Sequence, residues 1–198
     1  MNILTLVLVF GVAIIGYLIT AYNKFVTVKT RIKASIQEIG NQLKRQADLI
    51  PNLISSVKGY MKHESKIFKD LTEARKSITS ALKSSDPQKM VDASVMASRA
   101  MAPIQAVFES TPQLQAAGPT TKLMDELRDT SDKIMYSRRT LIDLSADYNV
   151  MVAKFPTNLI ANIFGFKEEK GLKLPQDAEA EATEVKKEEM KTPKVNLE

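Results

Sequence analysis

Cysteine is absent from the 198 residues, which removes disulfide frameworks, thiol nucleophiles and thiolate metal sites from consideration. Histidine occurs once, at His63, so one chain cannot build a two-histidine metal site, and His63-Glu64 lacks the second histidine of a zinc-protease helix. The Glu-x-x-His pair of a di-iron bundle is missing too, because position 60 is tyrosine. The seven glycines are scattered and none forms a phosphate-binding loop. No long stretch alternates apolar and polar residues as a half-buried strand would. Carboxylates at Glu73, Asp125, Glu126, Asp129 and Asp132 fall at the spacings of solvated helix faces. The expectation is a protein with no catalytic residues, no cofactor and no metal.

Ionisable side chains are missing from one further place, the run Ile3 to Tyr22. Twenty residues in a helix extend about 30 Å, the hydrocarbon thickness of a bilayer. A cleaved signal peptide fits poorly: Met1 and Asn2 carry no side-chain charge, the apolar run is too long, and Ile19 stands where a small residue is needed before Ala21. Lys24, Lys29, Arg31, Lys33, Lys44 and Arg45 follow the run against a lone Glu38. Excess Lys and Arg stays on the cytoplasmic side, so the sequence predicts a single-pass protein of the cell (inner) membrane, N-terminus outside, the rest cytoplasmic. Tyr17 and Tyr22 suit the interface, and Gly16 with Thr20 makes a small-xxx-small pair through which two spans could pack.

The net charge of +5 is uneven, since residues 167–198 carry 7 Lys against 9 Asp and Glu and the remainder is therefore basic. No nucleic-acid motif or aromatic-studded basic stripe accompanies that charge, so anionic lipid head groups, not nucleic acid, are the expected partner of the juxtamembrane Lys and Arg.

Beyond Tyr22 the apolar period is helical throughout. Phe25, Val28, Ile32, Ile39, Leu43, Gln46 and Ile50 continue the membrane helix into a first bundle helix. A break is expected at 48–52, where Pro51 pushes Ile50 out of the α region and suits the start of a new helix. The second helix, 51–84, carries Leu53, Val57, Tyr60, Glu64, Ile67, Leu71, Ala74, Ile78 and Ala81, with Glu64 reaching Arg138 or Arg139. A third, about 88–110, is lined by Ala93, Ala97, Ala100, Ile104 and Val107, and Pro103 should kink or split it. After a loop at 111–119, a fourth helix capped by Thr120 or Thr121 carries Leu127, Thr130, Ile134, Leu141, Leu144, Tyr148 and Phe155. The fold class is all-α: a transmembrane helix (1–22) continuous with an antiparallel up-and-down four-helix bundle (23–166), then a disordered charged tail (167–198).

Up-and-down order places 48–52 and 111–119 at the distal tip and 84–87 beside the membrane. Helix two is then too long for helix one, so the bundle must tilt, shift or end helix two early. A short apolar helix at 158–166, capped by Asn158, falls at the membrane end. Leu159, Ile160, Ile163, Phe164 and Phe166 either cap the core or contact lipid, alongside Lys24, Lys29 and Arg31.

Tyr22, Asn23, Phe25 and Val26, the run from Gln42 to Glu64 (QLKRQADLIPNLISSVKGYMKHE) and Thr72, Glu73, Ala74, Arg75 resemble the LemA family of bacterial membrane-anchored helical-bundle proteins. Glu109, Ser110, Pro112, Arg138, Tyr148, Asn149, Phe155, Pro156, Asn158, Gly165 and Phe166 extend the likeness over residues 3–166. Gln46, Ala47, Ser131, Leu141 and Ile142 depart from the family pattern. The resemblance implies an N-out, single-pass, four-helix protein with no established enzymatic activity. Function is expected to be that of a non-catalytic membrane scaffold or adaptor, with an unidentified protein partner or a second copy. Asp48, Pro51 and Asn52 either reverse the chain or form a partner surface at the tip. The alternative is a membrane-organising protein acting through 158–170 and the basic collar, and a tethered enzyme ranks last.

Overall fold

One helix of 55 residues, α1 (Ile3–Val57), sets the long axis of the molecule in the computed structural model, which describes residues 2–61 and 65–172. At 1.5 Å per residue it is about 80 Å long. The helices that follow are α2 (Ser65–Ser84), α3 (Pro87–Ser110), the single turn α4 (Pro112–Ala116), α5 (Gly118–Ala153) and α6 (Thr157–Phe164). No strand occurs among the described residues. α5 runs back along α1, α2 pairs with α3, and both α2 and α3 lean on α1.

The break expected at 48–52 does not occur, because α1 continues through Pro51. A proline inside a helix leaves the carbonyl four residues earlier without its N–H partner. That carbonyl belongs to Ala47, and Arg75 of α2 donates its Nε–H to it at 3.0 Å. A side chain from another helix thus replaces the lost backbone bond, and Ile50 and Leu53 on either side of the proline stay fully buried. α1 instead ends at Val57, with the chain turning over Lys58–Tyr60. His63 and Glu64, and with them the expected pairing of Glu64, lie outside the described residues. Arg138 has Asp92 as its electrostatic neighbour, though half-burial still lowers its pKa overall.

Shortening the second helix to 65–84 removes the length conflict and relocates the next turn. Ser85, in the left-handed region at φ 51°, reverses the chain, and the Asp86 carboxylate caps α3 by accepting the N–H groups of Gln88 and Lys89 at 2.9 and 3.4 Å, with Pro87 in the first turn. This turn is not beside the membrane end. Leu82 and Met90 flank Gly40, about 27 Å along α1 from Tyr22.

Pro103 neither splits nor ends α3 and faces solvent. The expected loop 111–119 contains α4, and Gln115 donates to the Phe108 and Glu109 carbonyls at the end of α3. α5 starts at Gly118, earlier than expected, and neither threonine caps it: Thr121 donates its hydroxyl to Gln115 O at 2.9 Å.

Two tiers result. Distally, α1, α2, α3 and α5 enclose Leu43, Ile50, Leu71, Ile78, Ile104 and Leu127. Buried polar residues interrupt this core, Gln46 and Thr130 among them; Gln46 donates Nε2 to Ser131 Oγ at 3.1 Å and to Met101 Sδ at 3.7 Å. Proximally only α1 and α5 remain, and the groove between them is closed by α6 and by residues 165–172.

Candidate membrane-interface site

From residue 3 to 20 every side chain of α1 is exposed except half-covered Gly11, and the most apolar 18-residue window has none of its residues buried. Ala21 is the first buried residue, and Phe25, Val28 and Ile32 follow on the same face. The boundary between bare apolar helix and packed helix therefore lies at Tyr22, where the first lysine, Lys24, also appears.

Around that boundary the chain gathers its rings. Phe25 stacks on Phe166 with centroids 4.7 Å apart and planes 11° apart, and meets Tyr148 edge-on at 5.7 Å. Tyr22 lies 4.8 Å from Phe164 and 5.7 Å from Phe166. Such pairs add about 0.5–1.5 kcal/mol each to the burial of their area.

Local chemistry brings Phe166 there. Gly165, at φ 71°, ends α6 in the left-handed conformation, and the Phe166 N–H bonds back to Ala161 O at 2.9 Å, the six-to-one closure of a Schellman motif. The chain then climbs between α1 and α5. Asn149 holds it by two hydrogen bonds to the backbone of Glu169, one accepted at 2.9 Å and one donated at 3.0 Å. Lys29 adds an ion pair to Glu169 at 3.6 Å, and Leu172 packs on the core. Residues 167–172, expected to open a disordered tail, are thus part of the folded body; 173–198 lie outside the described residues.

The Tyr148 ring is fully buried and its hydroxyl has no hydrogen-bond partner among the described residues. Burial first, and the Glu169 carboxylate second, push this phenol above its ordinary range.

α6 itself divides. Ile160 and Ala161 are buried against the α1–α5 pair, whereas Leu159 and Ile163, together with Phe164, face outward. Asn158 does not cap the helix but lies inside it, and Thr157 instead donates to the Met151 and Lys154 carbonyls at 2.6 and 2.8 Å. Of the candidate lipid-contact residues, the structure brings Leu159, Ile163 and Phe164 to the surface, puts Ile160 in the core and half-buries Phe166; Lys24, Lys29 and Arg31 are exposed on α1. The candidate partner residues do not form a tip loop. Asp48 and Asn52 are exposed on a continuous helix, and Pro51 is half-buried.

Phe155, expected on the inward seam of the fourth helix, instead follows the end of α5 and is exposed; Asn149 and Arg75 were visible in the sequence only as parts of the family likeness, and their roles depend on contacts with residues 20 or more positions away. No cluster of three or more potential metal-ligating side chains occurs among the described residues.

The family model described as the LemA family matches residues 35–186. Magnetosome protein MamQ of Magnetospirillum gryphiswaldense is 26% identical, the alignment covering 79% of this chain and 66% of that protein. Magnetosome proteins MamQ 1 and MamQ 2 of Paramagnetospirillum magneticum are each 25% identical with the same coverage. The chain thus spans slightly less than two thirds of the length of these relatives.

Proposed function

We propose a role that starts from an established premise: this chain belongs to the LemA family. It is a non-catalytic, membrane-anchored scaffold that holds a rigid helical body at the cytoplasmic face and presents it to protein partners or to a second copy. The observation that carries this reading is the continuity of α1, in which a bare apolar segment long enough to cross a bilayer passes without a break into the helix that organises the folded body. An unbroken helix transmits position and orientation from the lipid to a point about 50 Å away at Val57. The Lys and Arg after Tyr22 support a cytoplasmic body, and the aliphatic interior supports a role in binding over one in catalysis. The magnetosome names of its relatives are consistent with work on a membrane.

Asp48 and Asn52, exposed on α1 of the distal tier, are the residues at which to look for that partner. Full-length protein in native membranes, carrying a photo-crosslinker at either position, is expected to give discrete protein adducts identifiable by mass spectrometry, while the same crosslinker at Phe10 gives lipid adducts. Release of the protein by alkaline carbonate, or digestion of its C-terminus by protease outside intact cells, would overturn the anchored, inward-facing reading. Absence of protein adducts at both positions would overturn the scaffold.

A further inference from the structure

The outward face of the α5–α6 corner is apolar to a degree that packing does not explain. Phe155 is 73% exposed, Ile163 72%, Phe164 53% and Leu159 52%, all within ten residues. Each would lose favourable burial by facing water, and large apolar side chains exposed together on one face mark a surface that something covers.

Position identifies the cover. Phe155, Pro156 and Thr157 line one concavity together with Tyr17 and Lys24 of α1. Tyr17 belongs to the bare apolar segment, five residues on the membrane side of Tyr22. The corner therefore reaches to the depth of the last turn and a half of the span, and its exposed face continues the apolar surface that α1 presents from residue 3 onward. The inner face of α6 is fixed to the same boundary by Ile160, Ala161 and the ring contacts of Tyr22 with Phe164 and Phe166. Lys24 and Lys154 line the same concavity as Phe155, with Asp147 beside them; exposed Lys167 and Glu168 follow Phe166 in the chain, and Glu169 is engaged by Lys29. An apolar face at the level of the acyl boundary, bordered by Lys24 and Lys154, matches the chemistry of the inner leaflet of an anionic bilayer.

We propose that this corner is a second membrane contact, a foot that inserts Phe155, Leu159, Ile163 and Phe164 into the acyl boundary while the lysines meet phosphate. The foot rests on the reading of α1 as a membrane span. With two attachment points in place of one, the helical body cannot swivel about the span, and its distal tier is held at a set azimuth and tilt.

The chain contains no tryptophan, so single-tryptophan variants report without background. Full-length Ile163→Trp, Phe155→Trp, Phe10→Trp and Tyr60→Trp proteins are reconstituted into phosphatidylethanolamine–phosphatidylglycerol vesicles, with and without bromine on the acyl chains. The expected result is at least about twofold quenching by brominated lipid at Ile163→Trp and Phe155→Trp, as for a side chain sunk into the acyl boundary. Phe10→Trp should be quenched as strongly or more, and Tyr60→Trp, in the turn beyond the far end of α1, should be unaffected. Quenching at Phe10→Trp without quenching at the corner overturns the foot and leaves the span intact. Blue-shifted but unquenched emission at the corner means that protein covers the patch, which also overturns the lipid assignment. An unquenched Phe10→Trp overturns the span and the foot together.

Discussion

The two ends of the α1–α5 pair bury the same kind of helix face by different means. At the distal end two further helices complete the enclosure, and the interior is Leu, Ile and Ala arranged at helical spacing. At the proximal end no further long helix is available, so rings, one short helix and six residues of extended chain fill the groove. An aliphatic core needs neighbours on all sides, whereas an aromatic cluster can close a shallow groove because each ring covers 150–250 Å². The far tier therefore rests on many contacts of one kind and the end near Tyr22 on a few that are specific.

Phe25→Ala removes the ring that both Tyr148 and Phe166 contact and should unfasten the proximal tier alone. It should cost about 3–5 kcal/mol, as other buried phenylalanines do. Hydrogen exchange should speed up in α6 and in 165–172 while α2 and α3 keep their protection; uniform acceleration would mean that the two tiers are one cooperative unit.

On the distal side Arg75→Met leaves the Ala47 carbonyl without a donor and should cost about 1–3 kcal/mol. In a Pro51→Ala background the backbone N–H returns and the same substitution should cost much less. Additive losses in that double-mutant cycle, read from thermal or denaturant unfolding, would refute the exchange of bonds.

Gly165→Ala tests how the chain enters the proximal groove. A Cβ there would meet nothing within 4 Å, so the cost is purely that of the left-handed backbone, about 1–2 kcal/mol. Its signature is faster exchange at Glu169 N–H with α6 itself unchanged.

Tyr148→Phe keeps the ring and deletes a buried hydroxyl that has no partner among the described residues, so stability at neutral pH should rise by about 1 kcal/mol. The raised pKa sets the alkaline behaviour. Because the fold favours the neutral phenol, its contribution is complete below the ordinary value near 10 and is lost as pH climbs through the raised one. The phenylalanine variant should lack that alkaline loss, as followed by near-ultraviolet circular dichroism. Smallest of all, Lys29→Ala removes a solvent-facing ion pair to Glu169 and should shift stability by less than about 1 kcal/mol, the more weakly the higher the salt.

Much of this architecture was legible because helical periodicity is a local property. Most residues placed on inward seams, from Phe25 and Ile32 through Leu71 and Ala97 to Leu127 and Tyr148, are buried, whereas Tyr60 and Phe155, beyond the ends of α1 and α5, are exposed; the apolar run at 3–22 is the bare end of a long helix. The first turn was misplaced for a reason equally physical. Pro51 predicts a break wherever its lost hydrogen bond goes unreplaced, and the replacement comes from Arg75, 28 residues away from the carbonyl it serves. Residues 167–172 read as tail because their composition is charged, and nothing local announces that Asn149 will bind the backbone of Glu169. In the candidate site the apolar character of 159–166 was plain, but its division was not. Ile160 and Ile163 look alike in sequence, and only the direction from which α1 and α5 approach decides which is covered.

By itself, the order of residues determined an all-helical chain, a segment able to cross a bilayer, the family to which the protein belongs and the faces of the helices that would meet, since each depends on side chains within a few turns of one another. Tertiary structure alone decided where the first helix stops, how far along α1 from the apolar run the second turn lies, which side of α6 is free and what closes the proximal groove. Those outcomes depend on donors, rings and backbone brought together from distant parts of the chain, where the energy of a contact exists only once both partners have arrived.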